Sequence, residues 1–288
     1  MTGTEIRGKE PRKTIACVAV VALVALTGCV GGGEADVGAN ITPDVEPVDV
    51  DETGDEILAS SLNTVGEETY TAESRAGLDV ASIFGLSISM NTTGEFDENM
   101  SYAHTEGEEG VKFLVFSGGG GFNTTVYETP DARYTRRSND TTTGDWETTN
   151  ADGPMSLSLE DVSATLDDTE ATVEGTEAVN GNETYVLSLD VPSDALGDAL
   201  SRTMETHGAD RIGDDSGGGN VSETDVNESE AYLWVDRETD RPVRFAYLVS
   251  LGFEGDEEDE AGGEMEFFSD TRYTYEDIEV EVPDEIDD

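Results

Sequence analysis

From Val243 to Phe253 the chain alternates without a break. Val243, Phe245, Tyr247, Val249, Leu251 and Phe253 take every second position, with Arg244, Ala246, Leu248, Ser250 and Gly252 between them. Strand side chains point to opposite faces in turn, so this period of two excludes a helix and demands a sheet with two unlike faces. Two more segments obey it. Tyr70, Ala72, Ser74, Ala76, Leu78 and Val80 alternate with Thr71, Glu73, Arg75, Gly77 and Asp79. Leu86, Ile88, Met90, Thr92, Gly94 and Phe96 alternate with Ser87, Ser89, Asn91, Thr93, Glu95 and Asp97. One apolar face and one wet face is the pattern of antiparallel strands.

Shorter strands are expected at 100–106, 111–116, 123–129 and 132–137, with Gly118–Gly121 as a flexible connection. Strands at 171–178 and 183–190 flank Asn180-Gly181, a favoured hairpin turn. The last strands are Ala231–Asp236, Val243–Phe253 and Glu264–Tyr275, followed by a short Val280–Val282 segment. Arg237 to Pro242 connects the first two of these, and the acidic loop Gly255–Gly263 the last two. Two helices are predicted. In 54–68, Ile57, Leu58, Leu62 and Val65 share a face. In 194–207, Ala195, Leu196, Ala199, Leu200 and Met204 form a stripe between Ser193 as N-cap and Gly208 as stop. Residues 208–229 read as a polar loop. The expected fold class is α+β: a long, curved antiparallel β-sheet with one or two helices covering its concave face.

Charge narrows the function. The chain carries 66 Asp+Glu against 15 Lys+Arg, a formal net charge of −51. A nucleic-acid partner needs a basic footprint, so none is expected. The only lysines are Lys9, Lys13 and Lys112. Abundant carboxylates with scarce lysine suit molar salt, where the Debye length is only ~3 Å and self-repulsion is screened. This composition resembles that of salt-in halophiles, archaea above all.

The N-terminus reads as a targeting segment. Arg7, Lys9, Arg12 and Lys13 precede an uninterrupted apolar run from Ile15 to Leu26. That run is short for a membrane span and fits a signal peptide. Leu26-Thr27-Gly28-Cys29 resembles a lipobox, which implies removal of residues 1–28 and lipidation of Cys29. Cys17 would leave with the signal, so the mature chain would hold no disulfide and no cysteine-based metal site. Residues 29–52, rich in Gly, Asp, Glu and Pro, read as a disordered acidic tether. Residues 53–283 form the expected single domain, and 284–288 an acidic tail. The chain is placed on the extracytoplasmic face of the cell membrane, held by its lipid anchor.

No catalytic constellation emerges, and a non-enzyme without cofactor or metal is expected. His104 and His207 stand far apart, and no HExxH is present. Gly118–Gly121 lacks the Lys-Ser/Thr of a phosphate loop. The run Asp256–Glu260 lacks the spacing of a calcium loop. Sequons give a stronger signal: Asn40, Asn91, Asn99, Asn123, Asn139, Asn182, Asn220 and Asn227 each begin N-x-S/T. Chance would supply about two at this composition, so surface N-glycosylation is expected.

The order of elements, with Val173-Glu174-Gly175-Thr176-Glu177 and Gly181–Asp190, the segment Tyr232–Arg244, and Tyr273–Pro283, resembles the lipoprotein-carrier superfamily. That group contains the LolA and LolB type and the mycobacterial LppX/LprG type. The resemblance implies a half-barrel over 54–283 whose concave face encloses acyl chains. Ile88, Met90, Phe96, Phe113, Val115, Trp234, Phe245, Tyr247, Val249 and Phe267 are the candidate cavity lining. Ordinary core packing on the two helices calls for the same residues. The expected function is binding of a hydrophobic or lipid ligand, for carriage or sensing. The alternative is a non-catalytic envelope protein that binds another protein or the surface layer.

Overall fold

The computed structural model describes residues 41–65, 69–80, 86–97, 101–113, 116–139, 141–151, 155–206, 225–253, 263–280 and 286. Val37–Asp288 forms one compact unit. Its strands are β1 (Tyr70–Val80), β2 (Leu86–Phe96), β3 (Ser101–Phe113), β4 (Phe116–Glu128), β5 (Ala132–Asn139), β6 (Glu147–Asn150), β7 (Glu170–Val179), β8 (Asn182–Asp190), β9 (Asp225–Asp236), β10 (Pro242–Phe253) and β11 (Gly263–Tyr275). The helices are α1 (Gly54–Leu62), α2 (Leu159–Thr165) and α3 (Ser193–Thr206).

All eleven strands join one open antiparallel sheet in the order β6-β5-β4-β3-β2-β1-β11-β10-β9-β8-β7. Two meanders, β1 to β6 and β7 to β11, meet where β1 pairs with β11. The stretch through α2 therefore carries the chain from one edge of the sheet to the other. Flat, eleven strands would span ~48 Å at ~4.8 Å per strand. Curvature shortens that path. α1 packs on β7 and β9, α3 on β9, and α2 on α3. Yet Ala103 of β3 and Val126 of β4 share one buried cluster with Leu159 and Val162 of α2, Leu196 and Leu200 of α3, and Leu233 of β9. The sheet curls so that both halves reach the same helices.

The alternation decides which residues enter that core. On β1, Tyr70, Ala72, Ala76 and Leu78 are buried, while Glu73 and Arg75 are exposed. Register carries the same face across to β2, pairing Ala76 with Met90 and Leu78 with Ile88. Thr53 starts α1 with a capping box: its Oγ1 accepts from Glu56 N–H at 3.2 Å, and Glu56 Oε2 accepts from Thr53 N–H at 2.9 Å. Asn180 (φ 52°) and Gly181 (φ 88°) both take left-handed conformations in the β7–β8 hairpin. That turn matches the strand twist and is inexpensive only for such residues.

A smaller core lies on the opposite face, built from Ile41, Val179, Val186, Trp234, Val243 and Ala246. Trp234 Nε1–H donates to Glu177 at 2.7 Å, and the Arg244 guanidinium stacks 4.0 Å above the indole. Arg244 also grips Asp270 with two bonds of 2.7 and 3.0 Å.

The first residues described contradict part of the expected tether. Ile41 is buried in the smaller core, and Glu46 exchanges two backbone bonds of 2.8 Å with Thr176 of edge strand β7. A Cβ on Gly175 would stand 2.4 Å from the Glu46 carbonyl oxygen. The missing side chain therefore lets the strap lie against the strand. Asp55 of α1 accepts from Ala171 N–H of β7 at 2.8 Å. Strap and helix together occupy hydrogen-bonding groups that an open edge would offer to another chain.

Other expectations shift. There are three helices rather than one or two among the described residues, and the first stops at Leu62. Residues 101–106 and 111–113 of two expected strands belong to one, β3, and Phe116 already begins β4. Gly118–Gly121 is not a flexible connection but part of β4, paired residue by residue with Val111–Glu108. Residues 225–229, expected in a loop, extend β9 along β10. The acidic loop 255–263 falls outside the described residues except Gly263, and so do Gly208 and segment 281–283. Only residue 286 of the acidic tail is described.

Candidate functional site

The helix-covered face holds the candidate site. Ile88, Met90 and Phe96 of β2, Phe245, Tyr247 and Val249 of β10, and Phe267 of β11 all belong to its buried cluster. Trp234 does not. It follows Leu233 on β9, and the strand period turns it to the other face, where it anchors the smaller core. Phe113 ends β3, with its side chain outside the described residues, and Val115 lies outside them altogether.

Register arranges this face in rows. Phe245, Thr271, Ser74, Thr92, Thr105 and Thr124 stand side by side across six strands, from β10 to β4. Its five hydroxyl residues are buried. Thr271 Oγ1 donates to Ser74 Oγ at 2.9 Å, and the Thr92 and Thr105 hydroxyls lie 3.0 Å apart. A buried hydroxyl needs such a partner. The outcome is a polar band between apolar rows.

Aromatic side chains form two groups on this face. Tyr70 stacks on Phe96 at 4.8 Å and meets Tyr273 edge-on at 5.9 Å. Tyr247 lies 5.9 Å from Phe267. Tyr70 OH accepts from Leu159 N–H at 2.8 Å, which ties the start of α2 to the sheet. Tyr247 OH approaches Thr203 of α3 at 3.5 Å. Tyr273 OH is buried without a hydrogen-bond partner. Burial pushes the ionisation of all three phenols far upward, so they remain neutral hydroxyls.

α2 brings charge into this setting. Ser158 caps it, its Oγ accepting from Asp161 N–H at 3.0 Å. Asp161 is 7% exposed and pairs with Arg202 Nε of α3. Arg202 Nη2 donates to Thr165 at 3.2 Å. Arg133 of β5, 8% exposed, pairs with Glu128 at 2.5 Å and adds its field at Asp161. Removal from water outweighs the arginines and raises the Asp161 carboxyl to about 6. Arg202 of α3 bonds Asp161 directly, and Arg133 of β5, Tyr247 of β10 and Tyr273 of β11 lie near enough to share its field.

Sequence reasoning missed this convergence. The one local signal was Ser158 three residues before Asp161, a cap without a long amphipathic run behind it. His104 lies elsewhere, bonded to Thr125 at 3.1 Å and 3.9 Å from Glu106. His207 is outside the described residues. Among the described residues no group of three or more His, Cys, Asp or Glu is placed to hold a metal ion, and no helix is long and apolar enough to cross a membrane.

Of the sequons, Asn91, Asn139, Asn182 and Asn227 are exposed and Asn123 is half-buried. Asn91 and Asn123 flank Glu106 in one cross-strand row on the outer face. Asn40, Asn99, Asn220 and Cys29 lie outside the described residues.

No protein-family profile matches this chain, and no curated protein matches it. Solved structures do. A DUF1329 family protein from Desulfovibrio piger matches at 13% identity over 76% of this chain and 89% of that one, with a TM-score of 0.24. A domain from Vibrio parahaemolyticus, named as an outer membrane lipoprotein-sorting protein, matches at 8% identity over 77% and 89%, with a TM-score of 0.21. At such scores these stand as likenesses only, and function has to be read from the sheet and its helices.

Proposed function

We propose that this chain is a lipid-anchored extracytoplasmic protein that takes a hydrophobic or lipid ligand against the inner face of its curved sheet, for carriage or sensing. The observation that carries this reading is how α2 sits on that face. It is a seven-residue helix covering a broad apolar surface. Polar hooks hold it: Tyr70 to Leu159 and Arg202 to Asp161. The hydroxyls of Tyr273 and Ser156 stay buried and unpaired. Unpaired buried groups cost about 1–3 kcal/mol each, so a ligand that offered these hydroxyls a partner would gain that much. An acyl chain would replace the apolar contacts of Leu159 and Val162.

The lipobox at Cys29 and the preceding apolar run support anchoring, and two acyl or ether chains there would hold a membrane firmly. The acid excess supports a halophilic, archaeal setting, and the exposed sequons a glycoprotein. Organic extraction of protein purified in molar KCl tests the ligand. A lipid recovered in stoichiometric amount beyond any Cys29-linked chain supports the reading. Protein that yields no lipid and takes up no added fatty acyl probe overturns it. Cys29→Ala should release the protein to the medium, and a variant that stays on the membrane refutes the anchor.

One observation favours the second reading, a non-catalytic protein that binds an envelope partner. Tyr102, Tyr127 and Trp146 form a half-exposed cluster on the outer face, with ring centroids 4.9 and 5.8 Å apart and Arg136 stacked 4.5 Å from the indole. Aromatic and arginine side chains are enriched in protein interfaces.

A further inference from the structure

We propose that the ligand of the inner face is an amphiphile with an anionic head group, a carboxylate or a phosphate, and that Asp161 fills the head-group position while α2 is seated. This rests on the hydrophobic-ligand reading above and names the chemistry of that ligand.

The placement of cations carries the argument. The chain has 15 Lys+Arg against 66 Asp+Glu. Even so, Arg133 and Arg202 are committed to the apolar side of the sheet, where desolvation is costly. Both act on Asp161. Guanidinium groups offer a planar fork of donors that suits carboxylate and phosphate oxygens.

Hydroxyl donors complete the surroundings. Tyr247 and Tyr273 both lie within the field of Asp161, and Tyr273 OH, 2% exposed, has no partner. Tyr70 OH faces the same helix start, where it accepts from Leu159. With α2 withdrawn, Arg202 loses both Asp161 and Thr165, while Arg133 stays paired with Glu128. An incoming anion would meet the Arg202 guanidinium, the field of Arg133 and a spare hydroxyl.

α2 itself has the build of such a ligand. Asp161 supplies the charged end, and Leu159, Val162 and Leu166 supply buried apolar surface beside it. A plain structural clasp would explain the Arg202–Asp161 pair, but not the unpaired Tyr273 hydroxyl in the same neighbourhood.

The test compares cis-parinaric acid with the alcohol of the same chain, on the full chain, in molar KCl at pH 8, by probe fluorescence. The acid should bind at least about tenfold more tightly than the alcohol. Asp161→Asn should tighten acid binding. Arg202→Gln should bring the acid-to-alcohol ratio towards one; if it fails to fold, Arg202→Lys should lower the ratio, because it keeps the charge and loses the fork. Displacement by dodecanoate and by dodecyl phosphate tells a carboxylate site from a phosphate site, and either must outcompete dodecanol. Equal binding of acid and alcohol overturns anion recognition and leaves the hydrophobic-ligand reading intact. Binding of neither probe overturns the hydrophobic-ligand reading itself. The comparison on the unsubstituted chain needs no variant to fold.

Discussion

Replacing Asp161 by Asn isolates the energetic consequence of seating a carboxylate inside the sheet. Its carboxyl is raised from the ordinary 3.8 to about 6, chiefly by burial, with Arg202 opposing. Between those two values the folded chain holds a proton that the unfolded chain has lost. Stability therefore falls as pH rises through this window, because the folded state must give up that proton against desolvation. At about 1.4 kcal/mol for each pH unit, the loss is at most ~3 kcal/mol, complete above pH ~6 and absent below pH ~4. Asp161 is 7% exposed, so solvent screening reduces this little. Asn keeps an oxygen that can accept from Arg202 and cannot titrate. Urea unfolding in molar KCl, followed by the fluorescence of buried Trp234, should show the native chain losing stability relative to Asp161→Asn from pH 4 to 6. With a slope near 3 kcal/mol per molar urea, the midpoint difference would change by about 1 M. Equal pH profiles, or a native chain that gains on the variant as pH rises, would refute burial as the dominant influence.

Leu233→Ala removes a fully buried side chain from the centre of the main core and should cost about 2–5 kcal/mol in the same unfolding assay; a loss below 1 kcal/mol would mean the sheet and helices close over the gap. Gly175→Ala sets a methyl group against the Glu46 carbonyl and should lift the strap, exposing 41–52 to limited proteolysis while the remaining domain resists; unchanged cleavage would show that the strap is held by Ile41 instead. Asn91→Gln, at an exposed outer-face position, should lower the intact mass of protein from the native host by one glycan; no change in mass would leave that sequon unoccupied.

Much of the sheet was legible because alternation is a local signal. Tyr70–Val80, Leu86–Phe96 and Val243–Phe253 stand in the structure almost as the period of two marks them. Gly118–Gly121 misled because glycine weakens a strand in isolation, whereas here β3 supplies the pairing. Trp234 misled for a different reason: the indole is apolar enough for either core, and only its parity with Leu233 assigns it. α2 went unseen because seven residues carry too little periodicity, and its stability comes from Tyr70 and Arg202, distant in sequence.

The sequence by itself determined which side of β1, of β2 and of β10 from Phe245 onward is dry, and that the chain is overwhelmingly acidic. Each follows from a pattern within a few residues or from composition, which need no partner to be read. Tertiary structure alone decided that the two meanders meet at β1 and β11, that the strap at Glu46 closes an edge, and that Arg133, Arg202, Tyr247 and Tyr273 gather around Asp161. Those groups come from β5, α3, β10, β11 and α2, and only the register and curl of the sheet bring them together. A buried charge takes its chemistry from such neighbours rather than from its place in the chain.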